Sequence, residues 1–315
     1  MTNSNITAQD VKNFELLLNE KMIPYRNVPT GTPKSVQELQ DLGERYFPNS
    51  PYRLFQAESI YDWTTSDFVR FNLFTQFVYT GLPNLPLDVD RITALIWDCY
   101  YPPSYFATDA DFMHMFGLPP VQSLQELREM MTPAYANILR PLVISEFKVF
   151  TQAVLDLPPI STRDHPMLYR GAMPMAVRKG TSTRDRFGAQ MLEFSGNTMA
   201  AAPLEIPLEE ARVELFYPGA TFRPKTCWSF SDSVAGARIW QQGIIVRAKP
   251  PPGAAYWPAG ADITPFSLNP GTTEFNFPLQ MKYRVERNAW TTINNQKVLV
   301  LDVIMEGLDW SDLDW

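Results

Sequence analysis

The sequence predicts an α+β protein, with a helical first half followed by a strand-rich second half. Apolar residues recur at helical spacing in segments between Ala8 and Leu157. Beyond Pro158 the chain breaks into short apolar runs divided by Gly and Pro, which is how strands read. The 28 prolines among 315 residues favour many irregular connections and few long helices in the second half.

The first predicted helix runs from Ala8 to Lys21, with Val11, Phe14, Leu17 and Leu18 on one face and Asp10 able to cap. A loop of Pro, Gly and Thr spans Pro24 to Pro33. Ser35 to Tyr46 reads as a second helix, opened by a capping box of Ser35 and Glu38. Ser59 to Tyr79, Leu87 to Asp98, Ser123 to Met131 and Ala134 to Leu157 follow as helices. Pro133 is expected to separate the last two, and Pro141 to interrupt the final one. Strands are expected at Met167–Ala172, Val213–Tyr217, Thr221–Phe230, Gly243–Arg247, Glu274–Phe277, Lys282–Val285 and Lys297–Met305, with a short helix near Val234 to Trp240.

Composition narrows the function. A net charge of −7 argues against nonspecific nucleic-acid binding, which needs a basic surface. Arg178, Lys179, Arg184 and Arg186 form a local basic cluster that reads as a solvated loop in preference to a phosphate or nucleic-acid site. Cys99 and Cys227 have no metal spacing and sit in apolar surroundings, so they read as buried thiols. The two histidines, His114 and His165, supply too little for a zinc site or a histidine triad. His114 reads as packing and His165 as a solvated loop residue. No Gly-rich phosphate loop of either common kind occurs. The polar N-terminus is not a secretory signal, and no apolar run approaches membrane-spanning length, so a cytoplasmic working site is expected.

Four pieces carry chemistry. Glu274 is a lone carboxylate at the start of the alternating run Phe275-Asn276-Phe277, preceded by the turn Asn269-Pro270-Gly271-Thr272-Thr273. Such a placement presents an acid to a cleft. In Trp228-Ser229-Phe230-Ser231, alternation puts Ser229 and Ser231 on one face and Phe230 on the other. Ser231 to Ser233 can also cap the helix that follows. Leu168-Tyr169-Arg170-Gly171 ends a strand in an arginine, whose planar fork suits phosphate oxygens, and a glycine that permits close backbone approach. Finally, Tyr61-Asp62-Trp63-Thr64 through Asn72 reads as an aromatic amphipathic helix.

Taken in this order, the four pieces resemble the Arg-Ser-Glu class of mono-ADP-ribosyltransferases, the toxin-type group. The resemblance covers about residues 50 to 305. It implies a catalytic domain over 51–308, with a helical N-terminal extension over 1–50 that has no counterpart in the resemblance and an acidic tail over 309–315. It also implies a helical N-terminal half packed on a split sandwich of two mostly antiparallel sheets. NAD would be the substrate, with no metal. Arg170 would grip phosphate, and Gly171 would offer its backbone to nicotinamide. Ser229 would orient the catalytic Glu274. Phe230 and Ser231 would complete the NAD site, with Phe230, Trp228 or Phe266 stacking on a ring. The loop Gly260 to Thr273 would choose a protein acceptor.

Relatives that modify arginine or asparagine carry Glu or Gln where this chain has Thr272, so the acceptor residue stays open. Glu58, Glu214 or Asp262 could stand in for that group. Water as acceptor would make the protein an NAD glycohydrolase. An inactive assembly protein is the third reading, and the family's habits suggest an effector or viral protein. The tail Asp309–Trp315 reads as a frayed terminus or a docking segment.

Overall fold

The computed structural model describes residues 6–17, 32–65, 89–97, 110, 113, 116–172, 192–194, 208–224, 227–239, 243–279 and 281–308. The chain divides into two compact units. One comprises Met1–Leu157 with Pro265–Pro270, and the other Pro158–Thr264 with Gly271–Trp315.

The first unit is helical: α1 (Ala8–Leu17), α2 (Val36–Tyr46), α3 (Arg53–Trp63), α4 (Val89–Trp97), α5 (Leu124–Met130) and α6 (Pro133–Asp156). Asp10 does not cap α1 alone. The Thr7 hydroxyl accepts from the Asp10 amide while the Asp10 carboxylate accepts from the Thr7 amide, a reciprocal box. The box expected at α2 forms between Ser35 and Glu38. Gly43 lets α2 meet the start of α3, since a Cβ there would lie 2.5 Å from the Arg53 carbonyl oxygen. α1 and α3 both pack on α6, where Trp63 of α3 stacks on Phe150, and Phe14 of α1 meets Phe55 of α3.

Two expectations are corrected in this unit. Pro141 does not interrupt α6, which runs unbroken for 24 residues. A mid-helix proline forfeits one hydrogen bond, at about 3 kcal/mol. The buried stripe of Val143, Phe147, Phe150 and Val154 outweighs that loss. The helix expected from Ser59 begins earlier, at Arg53, and the remainder of that stretch beyond Thr65 lies outside the described residues.

The second unit holds two sheets, so the fold class is α+β. Its strands are β1 (Pro159–Ser161), β2 (Leu168–Ala172), β3 (Leu192–Phe194), β4 (Thr221–Pro224), β5 (Trp228–Phe230), β6 (Ile244–Lys249), β7 (Tyr256–Asp262), β8 (Phe275–Phe277), β9 (Met281–Ile293) and β10 (Gln296–Leu308). The four-stranded sheet is ordered β1-β7-β8-β5 and the six-stranded sheet β2-β6-β10-β9-β4-β3. Among the described strand pairs, only β6 with β10 is parallel. Among the described residues two helices join them, α7 (Leu208–Glu214) and α8 (Val234–Ile239).

The core lies between the sheets. Leu299, Leu301, Val303 and Met305 alternate inward along β10 and meet Trp228, Phe230, Phe275 and Phe277 of the smaller sheet. Tyr283 sits among them, stacked on Phe222 at 5.4 Å and tilted against Trp228 at 5.0 Å. A bridge between Tyr169 and Ser231 ties β2 to the end of β5.

Three strand readings change. Val213–Tyr217 is the end of α7 and the turn after it, because Leu208 to Glu214 propagates as helix. Thr221–Phe230 is not one strand but two, in different sheets, broken after Pro224. The strand read at Lys282–Val285 is far longer and turns into β10 through Asn294 and Asn295, both at positive φ. That pair of conformations matches the right-handed twist of a two-residue hairpin.

Candidate active site

β5 and β8 pair antiparallel, with Trp228 opposite Phe277, Ser229 opposite Asn276 and Phe230 opposite Phe275. The aromatic residues of both strands face the core. The polar residues Ser229, Asn276 and Glu274 therefore gather on the other face. The Ser229 hydroxyl donates to Glu274 Oε1 at 2.6 Å, and Asn276 Nδ2 donates to Ser229 Oγ at 3.1 Å.

The backbone of Glu274 is clamped to the residues that follow β7. Its amide donates to Thr264 Oγ1 at 2.8 Å, and its carbonyl accepts from Ile263 at 2.9 Å. The residue before it is held as well. The Thr273 hydroxyl donates to Asp232 Oδ1 at 2.5 Å and lies 3.1 Å from Ser231 Oγ. Asp232 in turn stands 3.5 Å from His165 Nδ1, and the His165 ring packs on Phe275. His165 is thus a packed neighbour of this loop rather than the solvated residue expected.

Arg170 enters from β2. Its Nη1 donates to the Ser229 carbonyl at 2.8 Å, and its guanidinium lies 5.0 Å from the Trp228 ring centre. Its Nε is buried and has no hydrogen-bond partner. Burial pushes its pKa down to about 10, against the attraction of Tyr283 and Glu274, so the group stays charged at neutral pH. Arg170, Ser229 and Glu274, distant in sequence, therefore meet within one unit.

The other expected residues are placed as follows. Gly171 pairs with Ile245 and is buried, one step along β2 from Arg170. Ser231 is bridged through its backbone to Tyr169, and Ser233 caps α8 by accepting from the Gly236 amide. Thr272 lies against α8, where a Cβ on Gly236 would come within 3.1 Å of its methyl.

Phe230 is 2% exposed and packs edge-on against Phe277, and Trp228 is likewise buried. Both rings belong to the core, which differs from the expectation that one would stack on a bound ring. Phe266 belongs to the helical unit, packed on Tyr46 and Phe47. Asp262 is exposed and accepts from the Thr264 amide, while Glu214 is exposed at the end of α7. Glu58 is buried in α3. The basic cluster Arg178 to Arg186, His114, Cys99 and the tail after Leu308 lie outside the described residues.

Structural neighbours of the chain are ADP-ribosyltransferase toxins. The C3 exoenzyme of Clostridium limosum is 13% identical over 90% of this chain and 100% of its own, with a TM-score of 0.41. An ADP-ribosyltransferase of Clostridium botulinum is 14% identical over 89% of this chain and 100% of its own, with a TM-score of 0.40. An ADP-ribosyltransferase toxin of Paenibacillus larvae is 12% identical over 69% of this chain and 85% of its own, with a TM-score of 0.35. No family model and no curated protein matches the chain.

Two residues at the site escape sequence reading. Thr264 follows a strand, β7, that Pro258 and Gly260 disguise. Asn276 left a signal: in an alternating Phe-Asn-Phe run, the Asn must share the face of Glu274. Among the described residues, no group of His, Cys, Asp and Glu is arranged to hold a metal, and no helix is long and apolar enough to cross a membrane.

Proposed function

We propose that the protein is an NAD-dependent mono-ADP-ribosyltransferase of the Arg-Ser-Glu class, which releases nicotinamide and transfers ADP-ribose to a protein acceptor. The observation that supports this most directly is the 2.6 Å hydrogen bond from Ser229 to Glu274, with Arg170 reaching the carbonyl of the same serine.

The chemistry follows from charge. The bond to be broken joins the ribose to a cationic nicotinamide ring. As it lengthens, positive charge passes to the sugar, and a fixed carboxylate stabilises that charge more than it stabilises the ground state. Glycosidases meet the same oxocarbenium problem with carboxylates. In this chain Glu274 supplies the carboxylate and the contact to the ribose 2′-hydroxyl. Ser229 fixes one of its oxygens, and the Thr264 clamp fixes its backbone. Arg170 keeps donors for phosphate oxygens beyond the one bonded to Ser229. Gly171 serves the nicotinamide amide through its backbone. The released sugar cation is then captured by a nucleophile of the acceptor.

Thr272 stands where an acidic or amide side chain would engage the acceptor. This favours, as a second reading, capture by water and hence NAD glycohydrolase activity.

The test uses NAD labelled in its adenine, with and without cell lysate, for wild type and Glu274→Ala. Removing the charge-stabilising group is expected to lower nicotinamide release by about two to three orders of magnitude. Labelled lysate protein that disappears with the variant supports transfer and identifies the target. Release without labelling supports the glycohydrolase. A wild type that neither binds nor cleaves NAD overturns both.

A further inference from the structure

Asn276 is the residue of β8 that neither the core nor the proposed chemistry requires. It is 0% exposed, yet it stands between Phe275 and Phe277 in a strand whose other buried side chains are aromatic. Gly260 brings β7 hard against it, since a Cβ there would lie 2.6 Å from the Asn276 carbonyl oxygen and 2.5 Å from the Phe277 ring.

The hydrogen-bond inventory fixes how its amide is turned. A hydroxyl has one proton to give. An ionised Glu274 can only accept, so the Ser229 proton points at Oε1, 2.6 Å away. Ser229 Oγ then has lone pairs left to accept with, and Asn276 Nδ2 donates to it at 3.1 Å. The Asn276 side-chain oxygen is left buried with no hydrogen-bond partner. A buried unpaired carbonyl opposes folding, and a leucine of similar size would fill the same space without it. Stability alone therefore gives no reason for asparagine here, whereas the donor it presents to Ser229 does.

We infer that Asn276 is a positioning residue, which holds the Ser229 hydroxyl in the one orientation that donates to Glu274. This rests on the reading of Glu274 as the catalytic carboxylate. Without the Asn276 donor the Ser229 hydroxyl loses a group that orients it, and its hold on the Glu274 carboxylate weakens.

Two measurements test it, and the first needs no turnover. The side-chain amide of Asn276 is followed by ¹⁵N resonance in wild type and in Ser229→Ala. The expected result is a shifted signal with faster proton exchange in the variant, and an unchanged signal overturns the link. The second is a double-mutant cycle on NAD cleavage with N276L, S229A and the pair. N276L is expected to lower kcat about tenfold, the worth of one ordinary hydrogen bond, with KM for NAD unchanged and Tm equal or higher. In the S229A background it is expected to lower kcat no further. Additive losses, or a fall in Tm that tracks the loss of activity, overturn the inference. Should leucine prevent folding, Asn276→Val replaces it in the same cycle. A wild type without turnover overturns the function reading and with it the catalytic purpose of Asn276. An unchanged amide signal in an active enzyme overturns Asn276 alone.

Discussion

Two carboxylates of the β-sheet unit are held in opposite ways. Asp302, on the outer face of the six-stranded sheet, stands in a row across four strands with Tyr169, Arg247 and Arg287. Arg247 donates to it through Nε at 2.5 Å and Nη2 at 2.7 Å, and Arg287 through Nε at 2.9 Å. Glu274, just before β8 of the smaller sheet, is instead gripped by the Ser229 hydroxyl. Two guanidinium groups fasten a carboxylate through charge, whereas a serine hydroxyl fixes the direction of one of its oxygens. The first arrangement is suited to fastening strands together. The second is suited to meeting a positive charge that appears only during a reaction.

The largest expected effect comes from exchanging the two roles. Glu274→Gln keeps an acceptor for Ser229 but removes the charge. NAD cleavage is expected to fall by about 10²–10³-fold, with thermal stability unchanged. Asp302→Asn is expected to do the reverse, leaving cleavage intact while lowering stability by about 1–3 kcal/mol, because two guanidinium groups lose a buried partner. Calorimetry and a nicotinamide-release assay on both variants decide this. Loss of activity in both, or of stability in both, would erase the distinction.

Acid titration sharpens the same contrast. Burial opposes the ionisation of Asp302, but hydrogen bonds from Arg247 and Arg287 outweigh it and hold the carboxyl below its ordinary value. Its folded pKa is therefore depressed. The stabilisation it gives is present above the unfolded value, about 3.9, and is lost as pH falls through the folded one. Wild type is expected to lose more stability than Asp302→Asn on acidification below about pH 4.

Glu58 supplies the opposite limit, in the helical unit. It is 2% exposed, and burial pushes its pKa up to about 8. A raised folded pKa favours the fold below the unfolded value, about 4.3, and that contribution disappears as pH rises through 8. Glu58→Gln is expected to stabilise the protein by about 1–3 kcal/mol at pH 8 and to make no difference near pH 4. Denaturant melts at the two pH values measure this. Equal stabilisation at both would show that the carboxyl does not titrate in the fold.

Much of this was legible in the sequence, for reasons that differ between the units. Helices α2 and α6 announce themselves through caps and spacing, both local. The strands around the site are only partly legible. β8 and β5 show their alternation over three residues, enough to place Ser229 and Glu274 on a face. β7 hides behind Pro258 and Gly260, and β4 and β5 run together on paper because their separation into two sheets is a long-range fact. Val213–Tyr217 misleads because an apolar run of five cannot tell a strand from the end of a helix. Thr264 had no local signal at all, since its role depends on the pairing of β7 with β8. Asp302 was equally invisible, because its row exists only once four strands are in register.

The smallest expected effect separates the two arginines of that row. Arg247 makes two hydrogen bonds to Asp302 and is largely covered, while the Arg287 side chain is 66% exposed and makes one. An exposed ion pair contributes about 0.2–1 kcal/mol and is screened by salt. Arg287→Ala is therefore expected to lower stability by about 0.5 kcal/mol in dilute buffer and by almost nothing in about 1 M salt. Arg247→Ala is expected to cost about two to three times as much and to retain most of that loss in salt, because its fork is shielded and Asp302 would keep only the exposed partner. Urea melts at low and high salt read both. Equal, salt-insensitive losses would mean that the row is held by packing of the two stems against the sheet, and that charge pairing is not what holds Asp302 in place.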